Sequence, residues 1–166
     1  MTANHGTVVV GVDGSPGSRT ALEHAIAEAT RRQAGLRVVA AVHLPQHWAT
    51  AYGMPSPPSS SQIIDDVRAA AQRMLDAVVA DRPEAAGMPI ALVTRAGSPG
   101  EILVEEARDA DLLVVGHRGR GRLVSTVIGS VGLDCVLHAD CPVMIVRSEP
   151  IRATEPAAAD AVPAQA

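Results

Sequence analysis

Five short apolar runs recur along this chain with helical-period segments between them, and that alternation limits the fold more than any other feature. Thr7 to Val12 (with Val8-Val9-Val10 at its centre), Leu36 to Val42, Ile90 to Val93, Leu112 to Val115 and Val143 to Val146 are near-continuous apolar stretches. Such runs mark strands buried on both faces, as in parallel sheets. Between the first two, Ala21, Leu22, Ala25, Ile26 and Ala29 recur at helical spacing. Ser15 is placed as the N-cap of that helix with Pro16 at its first position, and Gly35 is expected to end it after about Ala34. Ile63, Ile64, Val67, Ala71, Met74, Leu75, Val78 and Val79 define a second amphipathic helix. Ser98-Pro99-Gly100-Glu101 reads as a capping box opening a third, through about Ala107, and Ser130 to Leu137 as a fourth.

Strands alternating with helices predict an α/β fold: a five-stranded, mostly parallel, doubly wound sheet with helices on both faces and right-handed crossovers. Flavodoxin-like or adenine-nucleotide-type strand orders fit this count. In the order 3-2-1-4-5 the carboxyl ends of the first and fourth strands are neighbours and form one cleft, where such sheets bind ligands. Pro45 to Ser61 reads as a long loop, and Ser148 to Ala166, without periodicity, as a disordered tail, so residues 1–147 form the expected single domain.

Composition removes several function classes. With 166 residues and 47% hydrophobic content the chain can bury one core. A net charge of −4 argues against a dedicated nucleic-acid or membrane-surface binder. All 14 basic residues are arginine, which excludes a P-loop lysine and a Schiff-base nucleophile. One Trp, one Tyr and no Phe leave no stacking platform for single-stranded nucleic acid. Cys135 and Cys141 form neither a disulfide framework nor a Cys-x-x-Cys pair and read as structural, with a redox role left open. His43 and His47 approach metal-ligand spacing, but Pro45 breaks any helix between them. No signal-like leader or membrane-length apolar run is seen, so the expected setting is cytoplasmic.

The chemistry concentrates after the fourth strand. Leu112-Leu113-Val114-Val115 breaks into Gly116-His117-Arg118-Gly119, and nine residues further on comes Gly129-Ser130. Glycines admit close backbone approach, Arg118, Arg120 and Arg122 bring positive charge, and Ser130 is placed to cap a helix whose first N–H groups can hold an anion. An ordinary strand-to-helix connection runs 2–6 residues, and this one is about twice that. The arginines could equally be a solvated basic patch. Asp13, after the first strand, could cap the helix near Ser15, contact a ligand, or do both.

The spacing Gly-x2-Gly-x9-Gly-Ser resembles the ATP-binding signature of the universal stress protein family. Val9-Val10-Gly11-Val12-Asp13-Gly14-Ser15, Ala110 to Gly116 and Cys141-Pro142-Val143-Met144-Ile145-Val146 carry the same resemblance, which covers roughly Thr7 to Arg147. It implies a dimeric, stress-associated cytoplasmic protein that binds ATP, with strand order 3-2-1-4-5. It also implies that Asp13 contacts the nucleoside, and that Ala41 or Val42 lines the adenine, although the second strand lacks the His many members carry there. The backbone of Val115, Gly116 and Gly119 and the Gly129-Ser130-Val131 corner would take ribose and phosphates. Gly11, Arg118, Arg120 and Gly121 complete the expected ligand set. The interior Arg120-Gly121-Arg122-Leu123 is richer in Gly and Arg than phosphate binding requires.

The leading expectation is therefore an ATP-binding regulatory module, with magnesium, if present, riding on the phosphates. A slow ATPase or self-phosphorylating protein using Ser125, Thr126 or Ser130 is the enzymatic alternative, and an AMP- or cyclic-nucleotide-binding adaptor the other. Val143 to Val146 is an apolar edge strand that must be paired or covered, which points, like the resemblance, to a homodimer.

Overall fold

In the computed structural model, residues 6–43, 59–117 and 128–148 are described. Arg118, Gly119, Arg120, Gly121 and Arg122, the body of the Pro45 to Ser61 loop and the tail beyond Ser148 lie outside them.

Five parallel strands form one sheet, as the alternation predicts, in the order β3-β2-β1-β4-β5 that the family resemblance implies: β1 (Thr7–Val12), β2 (Gly35–Val42), β3 (Ile90–Ala96), β4 (Leu112–Gly116) and β5 (Val143–Val146). The helices are α1 (Pro16–Arg32), α2 (Ser60–Ala80), α3 (Pro99–Glu106) and α4 (Ser130–His138), with a 3-10 turn at Pro83–Ala85. β1 lies between β2 and β4, pairing Val8 with Leu36 on one side and with Leu112 on the other.

Because successive side chains point to opposite faces, each strand feeds two cores. Val8, Val10, Leu36, Val38, Leu112 and Val114 pack with α1 and α2. Val9, Val39, Leu113 and Val115 pack on the other face with Ile102, Leu103 and Cys135 of α3 and α4. Both faces are filled by aliphatic side chains, consistent with an aromatic-poor sequence.

Several element ends differ from expectation. α1 stops at Arg32, because Gln33 takes the left-handed conformation (φ 53°) and Ala34 N–H turns back to the Ala29 carbonyl. Gly35 instead opens β2, donating its N–H to the Gly6 carbonyl. α2 starts at Ser60 under a capping box: Ser59 accepts from Gln62 N–H, and the Gln62 side chain accepts from Ser59 N–H. Ser98 does stand at the α3 N-cap, but its hydroxyl makes no capping bond, so the box expected there does not form. The Asp134 carboxylate from α4 lies against Gly100 in that first turn and occupies the space a side chain there would need.

Candidate functional site

The end of β1 is a hydrogen-bonded turn. Asp13, half-buried, accepts the Ser15 N–H at 2.9 Å through Oδ1. Gly14 sits at φ 84°, where a side chain would be strained. Ser15 Oγ then accepts Ser18 N–H at 3.2 Å as the α1 cap. Asp13 thus closes the turn onto the N–H of the cap residue, while Ser15 itself caps α1. The same turn holds the carboxylate at the carboxyl edge of the sheet.

Beside it lies the end of β2. Val12 pairs with Ala40, so the next step along both strands brings Asp13 level with Ala41. Val42 is buried, and its carbonyl accepts the N–H of Gly97, which ties the exit of β3 to this corner. Gly11 lies in the body of β1, packed tightly beneath α3. It pairs with Val39, and a Cβ built there would stand 2.9 Å from Leu103 Cδ1, so its missing side chain makes room for α3.

On the other side of β1, Val115 is buried and Gly116 pairs with Val146. His117 donates its N–H to the Val146 carbonyl at 2.7 Å, and its own carbonyl accepts the N–H of Gly129 at 3.0 Å. The chain that leaves β4 at His117 therefore returns to the same point before entering α4. Gly129, not Ser130, is the N-cap of α4, with no side-chain capping bond, and Ser130 is the first helical residue. Gly129 is extended (φ −61°, ψ 157°) while its N–H is held by His117, which leaves Ser130 inside the helix and unable to cap it. Among the described residues, no side chain caps the first amides of α4 at the carboxyl end of β4, a geometry suited to an anion.

Asp13, Ala41, Val42, Gly116, Gly129, Ser130 and Val131 are all carried to one end of the sheet around the β1/β4 switch point. Arg118, Gly119, Arg120 and Gly121 fall outside the described residues. Sequence reasoning gave His117 no role of its own. Its backbone is the junction of β4, β5 and α4, and no side-chain pattern announces a backbone junction. Among the described residues no three or more His, Cys, Asp or Glu side chains are grouped to hold a metal ion.

The profile of the universal stress protein family matches residues 5–147. The chain belongs to that family. Universal stress protein Rv2624c of Mycobacterium tuberculosis is 33% identical over 145 residues, covering 86% of this chain and 48% of that protein. This universal stress protein chain therefore spans about half the length of the curated relatives it matches. Among solved structures, a universal stress protein in complex with cAMP is 28% identical with a TM-score of 0.53, covering 86% of this chain and 97% of that one. UspA from Lactobacillus plantarum, at 22% identity and TM-score 0.63 over 88% of this chain and 100% of its own, shares the fold.

Proposed function

We propose that this chain binds an adenine nucleotide at the carboxyl ends of β1, β2 and β4, and that it acts as a nucleotide-dependent regulatory module in the cytoplasm. The observation that carries the proposal is the junction at His117. Through it, the uncapped start of α4 is held at the switch point where Asp13 and the end of β2 also emerge. Asp13 offers a carboxylate to ribose hydroxyls, Ala41 and Val42 an apolar wall for the base, and the first amides of α4 donors for phosphate oxygens. Arg118 and Arg120 supply further positive charge, and the signature spacing favours ATP as occupant. Magnesium would be held chiefly by the phosphates, with the Ser130 hydroxyl the nearest side-chain help.

A monophosphate or cyclic occupant is the second reading, favoured by the cAMP complex of a 28% identical relative. Mass spectrometry of the denatured protein identifies any nucleotide it carries, and calorimetry with ATP, AMP and cAMP ranks the three. ATP is expected to bind tightest. Gly129→Glu, which places a carboxylate where phosphate would sit, should weaken binding at least tenfold, about 1.4 kcal/mol. Unchanged affinity in that variant would remove the assignment.

β5, the last strand of the sheet, is read as the pairing edge of a homodimer. The Pro142 and Val146 carbonyls point to β4, accepting Leu113 and His117 N–H. By strand alternation, the backbone groups of Val143 and Ile145 face outward and are open to a second strand.

A further inference from the structure

The first turns of α2 reach past the sheet that the helix covers. α2 starts beyond the carboxyl end of β2 and runs back toward the start of β3, so its N-terminal half stands at the carboxyl edge. The Ser18 hydroxyl lies 4.0 Å from Met74 Sδ, which sets Met74 level with the first turn of α1 and so with the exit of β1. From Met74 back to Ser60 the helix rises roughly 21 Å. β2 continues only to Val42, roughly 7 Å beyond the Ala40 that pairs with Val12.

Burial follows this overhang. Ala71, Leu75 and Val78 of α2 are buried in the core. Two turns earlier on the same stripe Ile64 is only half-buried, as is Ile63, and neither joins a core. At the strand ends Val42 pairs with Ala96, and by alternation both side chains point to the α2 face. Ala96 is nevertheless exposed, so α2 does not close over it. Two residues down β3 on that face, Thr94 holds a buried hydroxyl oxygen with no hydrogen-bond partner among the described residues. Buried polar groups are rarely left in that condition.

We infer that the recess between Ile64 above and Val42 and Ala96 below receives the base of the nucleotide, with the Thr94 hydroxyl as its hydrogen-bond partner. The inference rests on the proposed nucleotide site and adds to it what tells one base from another. Its direction follows from the strand order. With phosphates at β4 and α4 and ribose at Asp13, the base lies one to two strand spacings further on, roughly 5–10 Å, over the ends of β2 and β3. The fused second ring of a purine extends toward β3, where a pyrimidine on the same ribose stops short. A hydroxyl both donates and accepts, so Thr94 suits a base edge carrying either kind of group.

Calorimetry of the full chain with ATP and UTP tests this, because the two share ribose and phosphates. The unmodified protein should prefer ATP at least tenfold. Ile64→Ala and Thr94→Val should each cut that preference at least threefold, weakening ATP and leaving UTP near its original affinity. Thr94→Val keeps the side-chain shape and removes an unpartnered hydroxyl, so its thermal melt should not fall. Equal binding of both nucleotides by the unmodified protein would overturn the inference while nucleotide binding itself stands. So would an unchanged preference in either variant, whether or not its melt falls. A protein that binds neither nucleotide removes the proposed site and this inference with it.

Discussion

At the residue scale, the absence of a side chain does different work at different glycines. Gly14 turns the chain at a positive φ, whereas Gly11 leaves room for Leu103 to press α3 onto β1. Gly11→Val should therefore destabilise the fold by about 1–3 kcal/mol through overpacking, read by denaturant unfolding. Its effect on nucleotide affinity should be small once the protein is folded. Cys135 makes a second residue-scale case. It is fully buried among aliphatic side chains, and desolvation, reinforced by the nearby Asp134 charge, pushes its thiol up to about 11 from an ordinary value of 9.0. Below pH 9 the thiol is protonated whether the chain is folded or not, so it adds no pH dependence. Between pH 9 and about 11 the unfolded chain ionises it ahead of the folded chain, so stability should fall as pH rises through that window. Cys135→Ala should flatten that part of the stability–pH curve relative to the unmodified protein. Burial raises Cys141 as well, which agrees with reading both thiols as packing groups.

At the element scale, helix bodies were legible and helix ends less so. The apolar period of α1 and α2 follows from burial of one face and needs no knowledge of the partner. The ends depend on single hydrogen bonds. Gln33, which has no special propensity for the left-handed region, takes it because Ala34 must turn to deliver the chain to β2. Ser59 and Gln62 form the reciprocal box for which Ser98 and Glu101 have the same spacing, and only the first pair is observed. Ser59→Ala should cost about 1 kcal/mol, measured by thermal or denaturant unfolding. Ser98→Ala should cost much less, since that hydroxyl makes no capping bond. The exposed stripe on α4 was hidden in the sequence for the opposite reason. Leu133, Val136 and Leu137 have the spacing of a buried face, and nothing local says that the sheet ends beneath them.

At the scale of the whole molecule, the parallel sheet with its β1/β4 switch point brings together segments more than a hundred residues apart, Asp13 and the Gly129-Ser130 corner. Among the described residues, the proposed site holds backbone hydrogen-bond donors and one carboxylate, Asp13, that accepts the Ser15 N–H, with no side chain oriented by a carboxylate partner to activate a water. Phosphoryl transfer needs an oriented nucleophile as well as charge neutralisation. Single-turnover hydrolysis of ATP should accordingly run far below the roughly 1–10³ s⁻¹ of ordinary enzymes. Turnover within that range, abolished by Gly129→Glu, would replace the regulatory reading with a true ATPase.

By itself the sequence determined the strand runs, the α/β class and the glycine spacing, because each depends on burial or backbone freedom over a few neighbouring residues. Strand order was implied by the family resemblance and not by the apolar runs, because the pairing of β1 with β4 is a contact between distant segments. Tertiary structure alone decided that Gly11 serves α3, that Gly129 rather than Ser130 caps α4, and that the α4 stripe faces outward. Each of these depends on which element lies across from the residue. A one-dimensional pattern records how much apolar surface a segment carries, and only the packed molecule settles what meets it.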